Sequence, residues 1–392
     1  MNGAPLLPDG KTVLGVMGGG QLGRMFVQAA QQMGYGTAVL DPDEHSPAGV
    51  IAHHHVRAAY DDPKGLAELA RLSNAITTEF ENVPASALEQ LAAQRFVAPS
   101  ASCVAIAQDR RAEKAHFTAC GVPVAPYAVI ETLAQLPGTD AELFPGILKT
   151  ARLGYDGKGQ ATVNQAADLT SAWRAMGGVP CVLEKRLPLA AECSVVIARG
   201  RDGQVVYLPV QRNEHRGGIL ARTEVHDGNL PPVTVKQSLE ATKKIADDLN
   251  YVGVLCVEFF VLDGGQLVVN EIAPRPHNSG HHSQDSCDVS QFHLQVRALA
   301  GLPLTSPRLH SSTVMLNLLG DLWFTNGQEQ TPPWDSVLAL PGAHLHLYGK
   351  AGARPGRKMG HLNLTASSIE AARANAWQAS RILGIAPRES SC

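Results

Sequence analysis

Short apolar runs alternate with amphipathic segments along the first hundred residues of the chain. The apolar runs predict strands, and apolar positions that recur with helical spacing predict helices. The predicted order is strand 12–17, helix 21–34, strand 36–43, helix 63–72, strand 75–80, helix 85–93 and strand 95–100. Strands separated by helices indicate a parallel sheet.

A charged helix at 109–120 opens a second region with a different pattern. Many of its strands follow one another directly, which is typical of antiparallel hairpins. The predicted elements are strand 144–150, a glycine loop, a strand, a helix, strand 182–187, strands 192–200 and 204–210, helix 234–249, hairpin 254–272, strands 311–320, 344–350 and 360–366, and helix 368–383.

Composition narrows the class of protein. The 392 residues are 44% hydrophobic and 18% charged, with a net charge of −3, which disfavours a nucleic-acid-binding surface and an acidic disordered tail. No apolar run approaches the roughly 18 residues of a membrane span, and the first residues lack a signal-peptide pattern. The seven cysteines contain no Cys-x-x-Cys pair, as in a reducing compartment. We expect a soluble cytoplasmic protein.

The string GGGQLG places Gly18, Gly20 and Gly23 between the first strand and the first helix. This spacing fits a dinucleotide-binding loop, and Asp41 ends the next strand about where a ribose-binding acid is expected. A tight turn whose amides bind another anion, or none, explains the same glycines. The motif alone does not select the ligand.

A second glycine loop, 154–160, follows Lys149 at the end of an apolar strand. Three glycines and a lysine between two strands can form a flap whose amides and Lys158 would meet a polyphosphate. The loop lacks the Gly-Lys-Ser/Thr sequence of a P-loop. An ordinary hairpin loop is the alternative, but the upstream lysine favours a phosphate flap.

Two glutamates interrupt the apolar strands on either side of a Gly-Gly turn. If Gly264 and Gly265 form a two-residue turn, Glu258 and Glu271 face each other across the hairpin, about 5 Å apart. Adjacent carboxylates repel and need a compensating cation, such as magnesium bound to ATP phosphates. One exposed glutamate beside a lysine-paired one would need no metal, but the apolar neighbours argue against that arrangement.

The 15 histidines include two clusters that resemble metal ligands. Neither cluster has a cysteine pair at zinc-site spacing, and we interpret the run 53–55 as an exposed face. His277, His281 and His282 follow the acidic hairpin closely, and we interpret their segment as a polar loop facing a substrate. His215 could face a ligand or be a satisfied core histidine.

A glycine-rich segment near the C-terminus concentrates basic residues. It contains Lys350, Arg354, Arg357, Lys358 and His361. A basic run is often a solvated surface, but these glycines let the backbone fold the cations inward, and Arg and Lys are the usual clamp for a phosphomonoester. We predict a substrate-phosphate site, and the lack of interleaved aromatic residues argues against nucleic acid.

A strand lysine, a glycine flap, the string EKRL with Glu192 downstream and paired glutamates on a hairpin together resemble an ATP-grasp ligase. Longer strings are similar to the 5-(carboxyamino)imidazole ribonucleotide synthases of purine biosynthesis. They are GGGQLGRM, TTEFENVP, QDRRAEK, GYDGKGQ, NEIAPRPHNSGHHSQDSCDVSQF, VMLNLLGD and LYGKAGARPGRKMGH, and they span about residues 13–365.

The resemblance implies an α/β fold in three regions, and a homodimer. A Rossmann-like N-terminal domain would occupy 1–107, with 1–11 as a flexible extension. An α+β ATP-grasp domain would occupy 108–304, with a flap subdomain at about 122–188, and a small β-rich C-terminal domain would occupy 305–392.

The resemblance also assigns roles to residues. The catalytic residues would be Asp156, Arg275 and Lys350, and the ligands of magnesium or manganese would be Glu258 and Glu271. ATP would be held by Arg110, Lys149, Gly154, Tyr155, Asp156, Gly157, Lys158, Gly159, Gln160, Glu184, Lys185, Arg186, Leu187, Glu192, His215, Asn270 and Glu271. The ribonucleotide would be held by Gly20, Gln21, Leu22, Tyr155, Asp156, Arg275, Lys350, Arg357 and Lys358. Strict alternation along the strand would place Asn270 on the face opposite Glu271.

In that family, ATP, bicarbonate and 5-aminoimidazole ribonucleotide give the N-carboxylated ribonucleotide, ADP and phosphate by way of carboxyphosphate. Arg275 would hold the bicarbonate. The sequence departs from the family pattern at Thr78, where an aromatic residue is expected, and this leaves open the role of that strand end, including Glu81. No glutamate a few residues beyond Arg275 offers a general base.

Three alternatives differ in what they leave unexplained. A formate-dependent glycinamide ribonucleotide transformylase would share the grasp, the metal pair and the phosphate clamp. An NAD-dependent oxidoreductase built on the first glycine loop would leave the flap, the acidic hairpin and the basic segment without a role. A regulatory nucleotide-binding protein without activity conflicts with the presence of Lys149, Glu258 and Glu271.

Overall fold

The computed structural model describes residues 4–154 and 159–385. Its N-terminal region contains the predicted parallel sheet. The strands are β1 (Val13–Met17), β2 (Gly36–Leu40), β3 (His54–Val56), β4 (Ala75–Thr78) and β5 (Phe96–Val97), and the helices are α1 (Gln21–Gln32), α2 (Pro63–Leu72), α3 (Ala85–Ala92) and α4 (Ala101–Ala107). The strands lie in the order β3-β2-β1-β4-β5. Consequently the ends of β1, β2 and β4, which carry the glycine loop, Asp41 and the TTEFEN string, meet at one edge.

Local capping explains why some boundaries are predictable. Helix α2 begins at the predicted residue because Asp62 accepts the N–H of Gly65 at 2.9 Å and Pro63 occupies the first turn. Helix α4 is capped by Ser100 and is absent from the prediction, because its seven residues are too few to set up a helical periodicity.

Within the stretch 1–11, expected to be a flexible extension, the described residue Leu6 is hydrogen-bonded to the fold. The N–H of Leu6 donates to the carbonyl of Ala300 at 2.8 Å, and its own carbonyl accepts the hydroxyl of Tyr35 at 2.6 Å. Leu6 thus serves as the hydrogen-bond partner of a buried tyrosine hydroxyl, and the flexible extension as a whole stays a prediction.

Helix α5 (Arg110–Ala119) leads into a small antiparallel sheet. This sheet contains β6 (Tyr127–Ile130), β7 (Gly146–Thr150), β8 (Gln160–Val163) and β9 (Cys181–Lys185), in the order β6-β9-β7-β8, with α6 (Ala166–Ala175) between β8 and β9. The predicted order of two strands, a helix and a third strand is confirmed, and residues 155–158 of the glycine loop between the first two strands lie outside the described residues. Lys149 pairs with Gln160, so the two strands hold the ends of the loop together.

A large antiparallel sheet forms the rest of the molecule. Its first part comprises β10 (Leu189–Arg199), β11 (Val205–Tyr207), β12 (Gln211–Arg216), β13 (Ile219–Val225), β14 (Gly253–Leu262) and β15 (Leu267–Ala273), with helices α7 (Pro232–Asp248), α8 (Ser283–Ser286) and α9 (Gln291–Ala300). Its second part comprises β16 (Ser312–Leu319), β19 (Ala343–Leu347) and β20 (Lys358–Ala366), with helices α10 (Trp334–Leu338) and α11 (Ile369–Leu383) and the separate pair β17 (Phe324–Thr325) and β18 (Gln328–Glu329). Short 3₁₀ helices lie at Gly49–Ile51, Leu133–Gly138, Ala141–Leu143, Asn278–Gly280 and Gly320–Trp323.

The large sheet is continuous across the position where the sequence predicts a boundary, near residue 305. Its strand order is β15-β14-β10-β12-β13-β16-β20-β19, with β11 paired to β10, so the C-terminal strands extend the sheet of the central region through the β13–β16 pair. The hairpin β12–β13 that makes this junction has no predicted counterpart, because the residues of β12 are all polar. The predicted domain boundaries themselves stay predictions.

One buried cluster ties the N-terminal sheet to the large sheet. Phe26 of α1 packs in this cluster with Phe292 and Val296 of α9. This packing sets the glycine loop at the start of α1 beside the hairpin β14–β15, because α9 also packs on β14. Among the described residues, no helix is long and apolar enough to span a membrane.

Candidate active site

A cavity of about 910 Å³ lies between the N-terminal sheet, the hairpin β14–β15 and the basic C-terminal segment. Residues from all three regions line it. Those with a predicted role are Gly20, Gln21, Leu22, Arg110, Gly154, Glu258, Glu271, Arg275, Lys350, Arg357 and Lys358. The fold thus brings together at one cavity the first glycine loop, the acidic hairpin and the predicted phosphate clamp, which lie far apart in sequence.

Glu258 and Glu271 are directly opposed in the hairpin, as predicted, but the turn is not the predicted one. The N–H of Leu262 donates to Gln266, so the turn contains the three residues between them. A bulge at Asn270 then restores the register, because Glu258 pairs with Glu271 whereas the next residue pairs with Val269. The expectation of strict alternation at Asn270 is therefore wrong, since a bulge re-aims the side chains beside it.

The two opposed carboxylates have unequal surroundings. Burial is the main cause that raises the pKa of Glu258, the charges of Glu271 and Glu192 act in the same direction, and the charge of His215 opposes them. His277 lies 3.3 Å from this carboxylate but is neutral, because burial holds its pKa well below the usual value. Burial also acts on Glu271, but Arg110, at 3.0 Å, and Lys149 outweigh it and hold the pKa of this carboxyl below its usual range. The surroundings therefore favour the charged form of Glu271 and disfavour the charged form of Glu258.

A buried ion network lies beside Arg110. Glu184 is 3.1 Å from Lys149 and 3.2 Å from Lys114, and these lysines lower its pKa to about 2 although burial acts in the opposite direction. Lys114 also donates to the carbonyl of Asn270 at 2.9 Å, and Glu113 accepts the N–H of Ile272 at 2.8 Å.

This network contains functional candidates that sequence reasoning missed, namely Glu113 and Lys114. Together with Arg110 they occupy one face of α5, at the three- and four-residue spacing of a helix. A charged stripe on a helix usually faces solvent, and only the packing of α5 on β15 buries this one. Lys149 and Glu184 do not line the cavity in the described structure, and they adjoin it through Arg110.

His215 forms a short contact with Glu192 rather than standing alone. Its Nδ1 is 2.6 Å from a carboxylate oxygen of Glu192, across neighbouring strands β12 and β10. Burial acts to lower the pKa of His215, but the bond to Glu192 and the charge of Glu258 outweigh it and raise the pKa to about 9. Strand β9 ends at Lys185, and Arg186 and Leu187 follow in the connection to β10. All three side chains are at least partly exposed.

The amides of the first glycine loop are occupied by side chains of the protein itself. Asp41 accepts the N–H of Gly19 at 2.6 Å, and Glu79 accepts those of Gly20 and Gly23 at 2.8 and 3.0 Å. A Cβ at Gly20 would lie 2.4 Å from Glu79, so glycine is required for this carboxylate to approach. The anion at this helix N-terminus is internal, and its charge would repel a pyrophosphate.

Glu79 could have been found from the sequence. It directly follows β4, which is adjacent to β1, and the carboxyl ends of neighbouring parallel strands meet at the same edge. Glu81, whose role the sequence leaves open, accepts a hydrogen bond from Nε of Arg275 at 2.5 Å, and both residues line the cavity. Thr78 is buried, and its hydroxyl donates to the carbonyl of Phe80 at 2.9 Å, two residues beyond the last residue of β4.

The basic segment turns toward the cavity, as predicted. Arg357 donates to the carbonyls of Ala351 and Gly352 at 2.5 and 2.7 Å and so holds the loop folded. His361 does not belong to this clamp. It is fully buried, lies 3.0 Å from the hydroxyl of Tyr348, and burial holds its pKa well below the usual value, so it is neutral.

The histidine clusters divide in the structure. His277 and His281 line the cavity, whereas His282 is buried with its Nδ1 2.8 Å from Ser286. In the run 53–55, two residues are exposed and His55 is half-buried. Tyr155, Asp156, Gly157 and Lys158 lie outside the described residues, between Gly154 at the cavity and Gly159–Gln160 at the start of β8, so the roles expected for them stay predictions.

Family models match three successive parts of the chain. They are a ribonucleotide synthetase preATP-grasp domain at 11–108, an ATP-grasp domain at 115–292 and a phosphoribosylaminoimidazole carboxylase C-terminal domain at 313–375. Together with the cavity and its acidic hairpin, these matches define the class as an ATP-grasp ligase. The N5-carboxyaminoimidazole ribonucleotide synthase of Brucella melitensis is 44% identical over 91% of this chain and 96% of its own length. The enzyme of that name from Staphylococcus aureus strain N315 is 38% identical over 91% and 93%.

Solved structures agree with this match over nearly the whole chain. The Staphylococcus aureus N5-carboxyaminoimidazole synthetase complexed with ADP has a TM-score of 0.86 at 36% identity, covering 94% of this chain and 96% of that one. The Aspergillus clavatus synthase in complex with ADP and 5-aminoimidazole ribonucleotide has a TM-score of 0.87 at 29% identity, covering 96% and 99%. The chain belongs to the N5-carboxyaminoimidazole ribonucleotide synthase family.

Proposed function

We propose that this chain uses ATP and bicarbonate to carboxylate 5-aminoimidazole ribonucleotide, giving N5-carboxyaminoimidazole ribonucleotide, ADP and phosphate. The observation that supports this best is the single cavity that joins the acidic hairpin to the basic segment. One end offers carboxylates suited to a metal-bound polyphosphate, and the other offers cations suited to a phosphomonoester. The names of the relatives and the ligands of the solved structures point to the same two substrates.

The acidic hairpin has the composition of a magnesium site. Glu258 and Glu271 offer opposed carboxylate oxygens, and the side-chain oxygen of the adjacent Asn270 is buried without a hydrogen-bond partner among the described residues. Oxygen ligands of this kind suit magnesium, and manganese would fit the same set. The metal would neutralise charge on the phosphoryl group that is transferred.

The nucleotide would lie between the two sheets of the central region. Arg110 and Lys149 supply positive charge there, and the pair Glu192–His215 lies on the neighbouring strands. The loop 154–160 would cover the phosphates. Asp156 and Tyr155 on this loop would meet the aminoimidazole, so Asp156→Ala should impair use of the ribonucleotide more than it impairs ATP binding.

Arg275 would hold bicarbonate, with Glu81 as its positioning residue. A bicarbonate oxygen would attack the γ-phosphorus, forming one P–O bond as the bond to ADP breaks. The resulting carboxyphosphate would deliver CO₂ to the exocyclic amine, and the amine proton would pass to the released phosphate. Lys350, Arg357 and Lys358 would hold the 5′-phosphate of the acceptor, and Lys350 would also face the reacting groups.

The experiment that tests this function is ADP release with magnesium and ATP, with bicarbonate and 5-aminoimidazole ribonucleotide added separately and together. Strong stimulation only by the two together is expected. Stimulation by formate with glycinamide ribonucleotide instead would favour the transformylase alternative. The homodimer and the cytoplasmic location are further proposals, and light scattering of the purified chain measures the first.

A further inference from the structure

Three side chains of the types that can bind a metal ion lie close together at the end of α5 that points away from the cavity. Cys120 directly follows the helix, His116 lies one turn earlier, and Asp248 is the last residue of α7. The Sγ of Cys120 is 3.6 Å from Nε2 of His116, and Nδ1 of His116 is 3.3 Å from a carboxylate oxygen of Asp248. Their ligand atoms all lie within 4.8 Å of one another. The proposed function uses none of them.

The distances suit a tetrahedral cation. Zinc binds sulfur at about 2.3 Å and nitrogen at about 2.0 Å, so a tetrahedral angle places the two ligand atoms about 3.5 Å apart. The separation between Cys120 and His116 already has this value, without movement of the backbone. The side chain of Asp248 is 61% exposed and can turn from the ring nitrogen to a metal, whereas that of His116 is 8% exposed and held in place.

The surroundings favour positive charge at this point. Both α5 and α7 end here, and the carbonyl ends of helices carry partial negative charge. The carboxylate of Asp248 adds negative charge at this point. Lys244, one turn earlier on α7, is the nearby positive group and acts on the thiol in the opposite direction. Because α5 runs about 15 Å from Arg110 to Cys120, the cluster is separate from the acidic hairpin.

A Cys–His–Asp arrangement can also activate the cysteine as a nucleophile. Burial and the neighbouring Asp248 raise the pKa of the Cys120 thiol to about 11, whereas a reactive cysteine needs a lowered pKa. The thiol is therefore protonated until a cation takes the place of its proton.

We propose that Cys120, His116 and Asp248 form a binding site for a zinc-type divalent cation that joins α5 to α7, with water as the fourth ligand. On binding, the thiol proton leaves to solvent and the thiolate, one imidazole nitrogen and a carboxylate oxygen form the new bonds. Sulfur and nitrogen ligands separate this site from the magnesium carboxylates, which offer oxygen only. The cation would fix the far end of the helix that carries Arg110 and Lys114.

Cobalt titration of the full-length, chelator-treated protein tests the site, with excess magnesium present to occupy the acidic hairpin. Cobalt bound to a thiolate gives a charge-transfer absorption that oxygen and nitrogen ligands do not give. We expect this band to saturate at one equivalent and to disappear when zinc displaces the cobalt. Cys120→Ser should abolish the band, and Cys392→Ser should retain it.

Zinc affinity, measured by competition with a chromogenic chelator, gives the second readout. Cys120→Ser should weaken zinc binding by more than about 100-fold, and Asp248→Asn by about 10-fold or more. Asp247→Asn is the matched control, because the neighbouring Asp247 pairs with Arg199 and Lys243 instead, and it should leave the affinity within about 2-fold. A wild-type protein without the thiolate band, or a band that survives in Cys120→Ser, would overturn the proposal.

Discussion

Two groups of carboxylates face the same cavity, and the protein treats them differently. Asp41 and Glu79 accept hydrogen bonds from the backbone amides of the first glycine loop. Glu258 and Glu271 face each other across a hairpin, where Glu271 is 3.0 Å from Arg110 and Glu258 is 3.3 Å from the neutral His277. The first group is held by backbone amides, whereas in the second group the surroundings disfavour the charged form of Glu258.

The difference separates structure from function. Backbone amides are part of the chain and stay beside the carboxylates that accept their hydrogen bonds. The carboxylates at the glycine loop therefore hold the edge of the N-terminal sheet in one arrangement, and they need no ligand for stability. An opposed glutamate pair repels itself in a partly buried site and is stabilised when a cation binds between the oxygens.

The Glu271→Gln variant should lose turnover. The substitution keeps the shape of the side chain but removes a metal-ligand charge, which should cost several kcal/mol of transition-state stabilisation, or about 10³-fold in ADP release. The matched control is Glu240→Gln on the outer face of α7, where the side chain is 61% exposed, and it should keep full activity. Unchanged turnover in Glu271→Gln would refute the metal role.

Ligand binding should stabilise the acidic hairpin and leave the glycine loop unaffected. Magnesium with a non-hydrolysable ATP analogue at about 100 times its Kd should add about 2.7 kcal/mol, which is a rise of several degrees in Tm. Glu271→Gln should lose most of this increment, and Gly20→Ala should keep it. Equal increments in wild type and Glu271→Gln, measured by thermal denaturation, would contradict the comparison.

The Gly20→Ala variant should lower stability without any ligand. The added Cβ would lie 2.4 Å from Glu79, so the carboxylate must move away from the amides it accepts, at a cost of about 1–3 kcal/mol. Gly138→Ala is the control, because a Cβ there meets no atom within 4 Å. If the two variants have the same Tm, the carboxylate at the glycine loop does not stabilise the fold.

The pair His215–Glu192 should make stability depend on pH. The pKa of His215 is about 9 in the folded chain, above the ordinary value of 6.5. The pair therefore stabilises the fold fully below about pH 6.5, and this stabilisation is lost as the pH rises through 9. The effect should be on the order of 1 kcal/mol, because the side chains are partly exposed. Glu192→Gln should reduce this dependence in urea unfolding, because only the charges of Glu258 and Glu271 then remain near His215, and Glu214→Gln on the same strand as His215 should retain it in full.

The acidic hairpin illustrates how far a sequence can predict a site. The opposition of Glu258 and Glu271 follows from counting outward from the Gly-Gly turn, yet the true turn is one residue longer and the bulge at Asn270 compensates for it. Turn type and bulge depend on strand twist and on contacts such as the one between Lys114 and Asn270. Those contacts join residues more than 150 positions apart, so local pattern does not contain them.

Local patterns along the chain are enough to predict the parallel and antiparallel halves, the two glycine loops, the acidic hairpin and the basic segment, because hydrophobic periodicity and turn residues act over a few positions. The tertiary structure alone decided which charges meet. In the folded chain, Glu79 binds the amides of the first glycine loop, Glu81 pairs with Arg275, and Lys114 is buried beside Glu184. One sheet also runs through two regions that the sequence predicts as separate domains. The physical reason is that a buried charge must find a partner, and that partner is selected by packing rather than by position along the chain.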